Sequence, residues 1–560
     1  MVFVVMWMGG WALAETPPDD VLAALDAEMA RTMAGWQGAP NAPYFLGYRV
    51  MEEEEQQVSA RYGQVERRTE SKTRMLDVRA RVGDYARDST HELKGNFVAG
   101  VNRQWGTALP IDGGSLALQA VVWDATQREI RDAQEKWLRV QANQLVKVKD
   151  EDASADFAKL EPPSVDLGPA TALDLDLEAW QPTLIELSEI LDDHPDVLES
   201  RATLRGVAQT ETIVTSEGTR VREGLRRIRV AITASTVAPD GADLRLYRWK
   251  EVHDTQRLPE RRDLVAWANE LRDDLIEVRD AKDGQPYSGP VLLRGRAAGV
   301  FIHEVLGHRA EGHRQKSEDE GHTFKDKVGE LVMPRTITIY DDPTLVSYAG
   351  EDLNGHYRYD QQGVPAQRAT IVDRGVFQGF LMSRSPIKGF NRSNGHGRAQ
   401  PGRAPISRMA STIVETTDPK SEATLRQMFR AELKRQGRPF GVLVDEINGG
   451  FTMTGRVFPN AFNVRAVTAF KVFADGRPDE RIRGIDLVGT PLVALANVMA
   501  VGDDPAVFNG YCGAKSGFIP NSAVSPSLLV RTLEVQKKEK GAERPPLLAK
   551  PAPSTQGDEA

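Results

Sequence analysis

The chain has 560 residues and a net charge of −9, from 71 Lys and Arg against 80 Asp and Glu. At about 150 residues per domain this length excludes a single small module, and the acidic balance argues against a nucleic-acid partner, which needs a basic face. With 40% hydrophobic and 27% charged residues, the composition suits a globular protein with real cores and excludes wholesale disorder.

The chain opens on an apolar run, Met1 to Ala14, that ends in Ala12-Leu13-Ala14. Small-x-small is the pattern of a signal-peptidase site, so residues 1–14 are expected to be a signal peptide and the protein to be exported, periplasmic or extracellular. No Lys or Arg precedes the run; without export, it would be a buried strand of a cytoplasmic protein. A bilayer span needs roughly 20 apolar residues, so no stable membrane insertion is expected. Cys512 is the single cysteine, which rules out an internal disulfide. It lies in Asn509-Gly510-Tyr511-Cys512-Gly513-Ala514-Lys515. That context suits a metal ligand or nucleophile, with Lys515 able to favour the thiolate, whereas most free cysteines are simply small buried hydrophobes.

An N-terminal α+β domain is predicted over 20–288. Asp20 can cap a helix through Val21, Leu25, Met29 and Met33. Residues 43–120 read as strands and turns. A long helix is predicted from Asp124 to about Val146, with Ile130, Ala133, Trp137 and Val140 near one face. Residues 149–175 are acidic, contain Pro162-Pro163 and read as a loop, and Leu177–Leu198 reads as helix up to a break near Pro195. Strands to about Trp249 and a helix from Arg261 to Val278 complete this half. Composition then shifts at Asp283-Gly284-Gln285-Pro286 toward glycine and short strands, and the second domain is placed at 289–536. Two hairpins are predicted there, around Arg374-Gly375 and Asp475-Gly476, where a tight turn needs positive φ. Residues 537–560 are too polar and Pro-rich to bury a face and are expected to be a disordered tail.

Five of the nine histidines fall at 303, 308, 313, 322 and 356, the first two within His303-Glu304-Val305-Leu306-Gly307-His308. A His-Glu pair followed by a second His points to zinc chemistry, in which imidazoles hold the ion and the adjacent Glu handles a proton. Helical zinc proteases space their histidines four apart, whereas here the spacing is five, which on a regular helix turns them about 140° apart. A π-type turn of roughly 4.4 residues brings i and i+5 back to one face, and Gly307 eases that distortion. A third donor is needed for a catalytic site. His313, His322, His356 and Cys512 are all candidates from the residues alone.

The stretch from about 290 to 536 resembles the TldD/PmbA family of zinc metallopeptidases, on the His303-Glu304-x-x-x-His308 segment and the distant Cys512. The likeness continues through Glu311-Gly312, Tyr359 to Pro365, Asn394-Gly395-His396-Gly397-Arg398, Arg408 to Thr412, Asn448-Gly449-Gly450 and Asn509 to Gly513. The resemblance implies an α+β fold with a mixed α/β N-terminal domain and a strand-rich C-terminal domain carrying the metal-binding helix. It further implies zinc on His303, His308 and Cys512, and Glu304 as general base. His313 stands where the family often has an acidic residue and is left out of the ligand set. The expected activity is hydrolysis of unfolded or flexible peptides lying beside an edge strand, by a homodimer or a heterodimer with a paralogue. Two other readings fit the same fold: a non-catalytic partner subunit, or a peptide-binding protein with a structural metal. Arg392, Arg398, Arg403 and Arg408 read as a solvated loop or a substrate-carboxylate contact, and Asn448-Gly449-Gly450 as a turn.

Overall fold

The computed structural model describes residues 20–92, 106–112, 114–144, 152–317, 319–456 and 461–538. The signal peptide expected at 1–14, and all of the expected tail beyond Lys538, lie outside the described residues. The chain is mixed α/β, with a strand-rich C-terminal half.

The first half is built on long antiparallel strands, Pro43–Arg61, Gln64–Val82, Glu199–Thr215 and Arg220–Val237, within a seven-stranded sheet. Tyr62 and Gly63, both at positive φ, close the first hairpin in two residues, the turn whose twist matches that of the strands. Successive strand residues face opposite sides. Leu46, Tyr48, Val50, Val58 and Ala60 therefore share one face, and all are buried. Helices α1 (Asp20–Trp36) and α2 (Ser115–Gln144) cover one end of that face, and α3 (Leu177–Asp192) and α4 (Arg261–Asp280) the other. The opposite face, with Met51, Glu53, Val207 and Gln209, walls a cavity of about 460 Å³ against the second half.

Helix α2 begins at Ser115, where strand was expected to about residue 120. Leu118, Val122 and Ala125 bury a helical stripe there, so packing overrides the strand preference of the adjacent valines. Helix α3 ends at Asp192, and Asp193 to Leu198 form a loop before the next strand.

The second half holds a nine-stranded and a six-stranded sheet. Both predicted turns are there: Arg374 (φ 44°) and Gly375 (φ 78°) close one hairpin, and Gly476 (φ 87°) turns in the other. Helix α5, Gly295–Val305, lies between the two sheets, against Phe440–Thr452 of one and Gly517–Ser525 and Ala506–Ala514 of the other. A Cβ on Gly295 would stand 2.7 Å from Ser525 O, and one on Gly299 3.0 Å from Ala523 O. Small residues thus let α5 press against the strand behind it. Asn448-Gly449-Gly450 is no turn: it lies inside the strand Phe440–Thr452, in a stretch of register shifts with Gly449 at φ 80°, where the extra residues bulge the strand.

Among the described residues, no helix is long and apolar enough to cross a membrane.

Candidate metal centre

Helix α5 carries His303 and Glu304 in its last turn and stops at Val305. The expected π-type turn is absent. Instead, Leu306 is stretched to φ −113°, ψ −50° within the right-handed region, and Gly307–Ala310 continue as a tighter 3₁₀ turn. This break frees His308 from the helical rotation, and the two rings meet edge to face with centroids 4.9 Å apart. Gly307 serves close approach here, because a Cβ would stand 2.0 Å from Met409 Sδ.

The other side of the centre is the hairpin Ala506–Ala514 and Gly517–Ser525, in which Cys512 pairs with Ile519 and Gly510 with Asn521. Alternation along the strands puts Cys512 and Asn521 on the face toward α5. Donor atoms of His303, His308 and Cys512 all lie within 4.8 Å of one another, and all three residues are buried. Cys512 Sγ is 3.4 Å from His308 Nε2. Bonds of about 2.0–2.3 Å at a tetrahedral zinc separate nitrogen and sulfur donors by about 3.5 Å. The donor set is therefore both chemically and geometrically suited to zinc.

Neighbours orient both rings. The Asn521 amide lies 3.1 Å from His303 Nδ1, and by turning over it can offer either a donor or an acceptor. Glu311 Oε1 lies 3.3 Å from His308 Nδ1. Each contact leaves Nε2 as the ring's remaining donor, the arrangement by which outer partners orient metal-binding imidazoles.

Burial alone would raise the Cys512 thiol, but His308 and His303 beside it hold it well below its ordinary value. His308 moves the other way: burial opposes its charge, yet Cys512 and Glu311 push it up to about 10. The Lys515 amine pairs with Glu320 at 3.5 Å. Glu304 is 5% exposed, and burial raises its carboxyl above the usual range. Among the described residues its Oε2 has no hydrogen-bond partner, and it lies 4.0 Å from His308 Nε2. The side chain rests on Gly450, where a Cβ would be 2.8 Å from Glu304 Cγ.

The remaining histidines stand outside the cluster. His313 is held neutral by burial and by Arg314, its pKa pushed down to about 3, and neither ring nitrogen has a partner among the described residues. His322 contacts Ser317 O and Arg456, and His356 contacts Pro343 O. His396 is fully buried against Asp341 at 3.2 Å. Arg398 and Arg408 are not a solvated loop: they are 3% and 0% exposed, with Arg398 at the wall of the 460 Å³ cavity and its Nη1 donating to Met409 O at 2.6 Å. Asn521 carried no signal in the sequence. Glu311 did, three residues beyond His308 and inside the stretch of resemblance. Asp360, in the same stretch, accepts hydrogen bonds from the backbone of Gln362, Val364 and Gly397, knitting the loops at 359–365 and 394–398 together.

Residues 286–537 match the family described as PmbA/TldA metallopeptidase C-terminal domain. A metalloprotease of Methanothermobacter thermautotrophicus is 28% identical over 331 residues, 58% of this chain and 67% of its own length. One of Methanocaldococcus jannaschii is 31% identical over 231 residues, 41% of this chain and 47% of that protein. A zinc metalloprotease TldD homolog of Saccharolobus solfataricus is 23% identical over 263 residues, 46% and 54% of the two chains. This chain thus spans about half the length of the latter two. TldE from Thermococcus kodakarensis has a similar fold, with a TM-score of 0.58 at 14% identity over 91% of this chain and 100% of that one. Residues 286–537 are thus a domain of the TldD/PmbA family, to whose named members this chain is similar.

Proposed function

We propose that the protein is a zinc-dependent peptidase acting on unfolded or flexible peptides. The observation that carries this is the buried set of His303, His308 and Cys512 with the unpartnered Glu304 carboxylate beside it. His303, His308 and Cys512 would hold the ion, which when bound supplies a Lewis acid and lowers the pKa of a water to about 7. Glu304 Oε2 accepts the proton of the attacking water and returns it to the leaving amine. Burial of Glu304 keeps bulk water from competing for that proton. Three protein donors among the described residues favour an open catalytic site over a purely structural one, which takes four.

The proposed substrate class is supported by the strand Ala506–Ala514, which ends the six-stranded sheet among the described residues and carries Cys512. An extended peptide can add to such an edge through its main chain, with little demand on side chains. Assembly with a second copy or a paralogue, and export through the apolar run at 1–14, belong to the same proposal.

Zinc content of the purified chain and cleavage of a flexible fluorogenic peptide test it. We expect bound zinc, and a Glu304→Gln variant that keeps the zinc but loses activity by about 10²- to 10⁴-fold. Protein devoid of zinc, or a Glu304→Gln variant as active as the parent, sinks the proposal.

A further inference from the structure

Arg408 is fully buried, which is costly for a guanidinium unless its donors are used. Nη2 donates to Cys512 O at 2.6 Å. Nη1 donates to Ser516 Oγ at 2.8 Å and to Gly517 O at 3.2 Å, at the turn of the hairpin that carries Cys512. Nε lies 3.2 Å from Glu311 Oε1, the same oxygen that lies 3.3 Å from His308 Nδ1; both are ion-pair contacts without hydrogen-bond geometry. The second Glu311 oxygen accepts from Arg314 Nε at 2.9 Å, and Glu311 is also fully buried. A continuous buried path therefore runs from His308 through Glu311 and Arg408 to Cys512, joining segments 204 residues apart in sequence.

We propose that Glu311 and Arg408 form a positioning clamp that holds His308 and Cys512 at metal-binding separation before the ion arrives, and that this clamp sets zinc affinity. The proposal rests on the reading of His303, His308 and Cys512 as zinc ligands. Glu311 controls one ring: its carboxylate at Nδ1 leaves Nε2 turned to the sulfur. Arg408 controls the sulfur's backbone, because a planar fork grips the Cys512 carbonyl and the hairpin turn while its Nε edge faces Glu311. A lysine has no such fork and cannot reach both sides at once. Ligands already in place spare the ion the cost of ordering two distant segments, so loss of the clamp appears as weaker binding.

The test uses the full chain and three variants: Arg408→Lys, Glu311→Gln and the double substitution. Zinc affinity is read by competition with a chromophoric chelator, and geometry by the thiolate-to-cobalt absorption of the Co²⁺-loaded protein. Melting curves report the fold. Each single variant is expected to bind zinc about 10- to 100-fold more weakly, with an altered cobalt band and a retained cooperative melt. The double variant is expected to be no weaker than the weaker single, since both substitutions break one path. Unchanged affinity in both singles, or a double loss equal to the product of the single losses, overturns the clamp. If Arg408→Lys does not fold, Glu311→Gln decides by the same affinity ratio, because it keeps the Arg408 bonds to Cys512, Ser516 and Gly517. Parent protein that binds zinc but cleaves no peptide leaves the clamp standing and removes only the peptidase reading, whereas parent protein that binds no zinc removes both.

Discussion

Glu304 stands against a glycine whose missing side chain makes room for it. A Cβ at Gly450 would lie 2.8 Å from Glu304 Cγ and 2.9 Å from Asn463 O, so in Gly450→Ala the carboxylate or the strand has to move. A displacement near 1 Å costs about 100-fold in a positioned reaction. Gly450→Ala is therefore expected to lose most of its turnover while keeping its zinc, checked by kcat beside metal content. Cys512→Ser should do the reverse and lose the zinc itself: the softer donor is gone, and affinity measured by chelator competition should fall by at least about 100-fold. Residues of this kind were legible in the sequence because their chemistry is rare. His303, Glu304, His308 and Cys512 announce themselves by type and spacing. Asn521 does not, and Arg408, though inside the stretch of resemblance, reads as part of a basic loop, since an amide and a guanidinium are common everywhere and their contacts exist only once a hairpin is folded onto α5.

At the level of elements, the five-residue histidine spacing correctly signalled a departure from the regular helix but not its form. The departure is a stop at Leu306 followed by a 3₁₀ turn, with Met409 packed over Gly307 at its start. Gly307→Ala places a methyl group in that contact and is expected to destabilise the fold by about 1–3 kcal/mol. The double-mutant cycle with Met409→Ala should show coupling of about 1 kcal/mol or more, and additive effects would disprove the packing explanation. The loop element at 359–365 offers a pH test. Burial raises the Asp360 carboxyl from 3.8 to about 6 against the pull of its three backbone donors. The folded state then holds the proton more tightly than the unfolded chain, so the Asp360 contribution to stability is fully present below about pH 4 and declines by up to about 3 kcal/mol as pH rises through 6. Asp360→Asn removes the titration and one acceptor, so its destabilisation relative to the parent should shrink between pH 4 and pH 7. Denaturant unfolding of both proteins across that range checks the sign. The early start of α2 shows the same limit of local reading as Leu306, since its valines and Trp123 have strand preferences that only the neighbouring sheet outweighs.

For the whole molecule, the proposed ion would tie α5 to a hairpin near the end of the chain. Chelation should therefore lower the melting temperature of the second half, by an amount matching up to about 4 kcal/mol when free zinc had stood a thousandfold above its Kd. Calorimetry with and without chelator measures this, and an identical trace would show that the ion bears no part of the fold. The α+β architecture and the strand-rich second half were legible from turn signals and periodicity. The way the halves meet was not, because it depends on single buried pairs such as Arg384 with Glu217 at 2.6 Å and on Tyr247, whose hydroxyl reaches Asn448 Oδ1 at 2.8 Å.

Tyr511 and Cys512 are successive residues of one extended strand, so their side chains leave it on opposite sides. Cys512 looks toward the histidines, while Tyr511 lines the 460 Å³ hollow against the first half. One strand thus carries both the sulfur and a wall of that hollow, and any molecule wedged against the phenol ring leans on the same stretch of backbone from which the thiolate hangs.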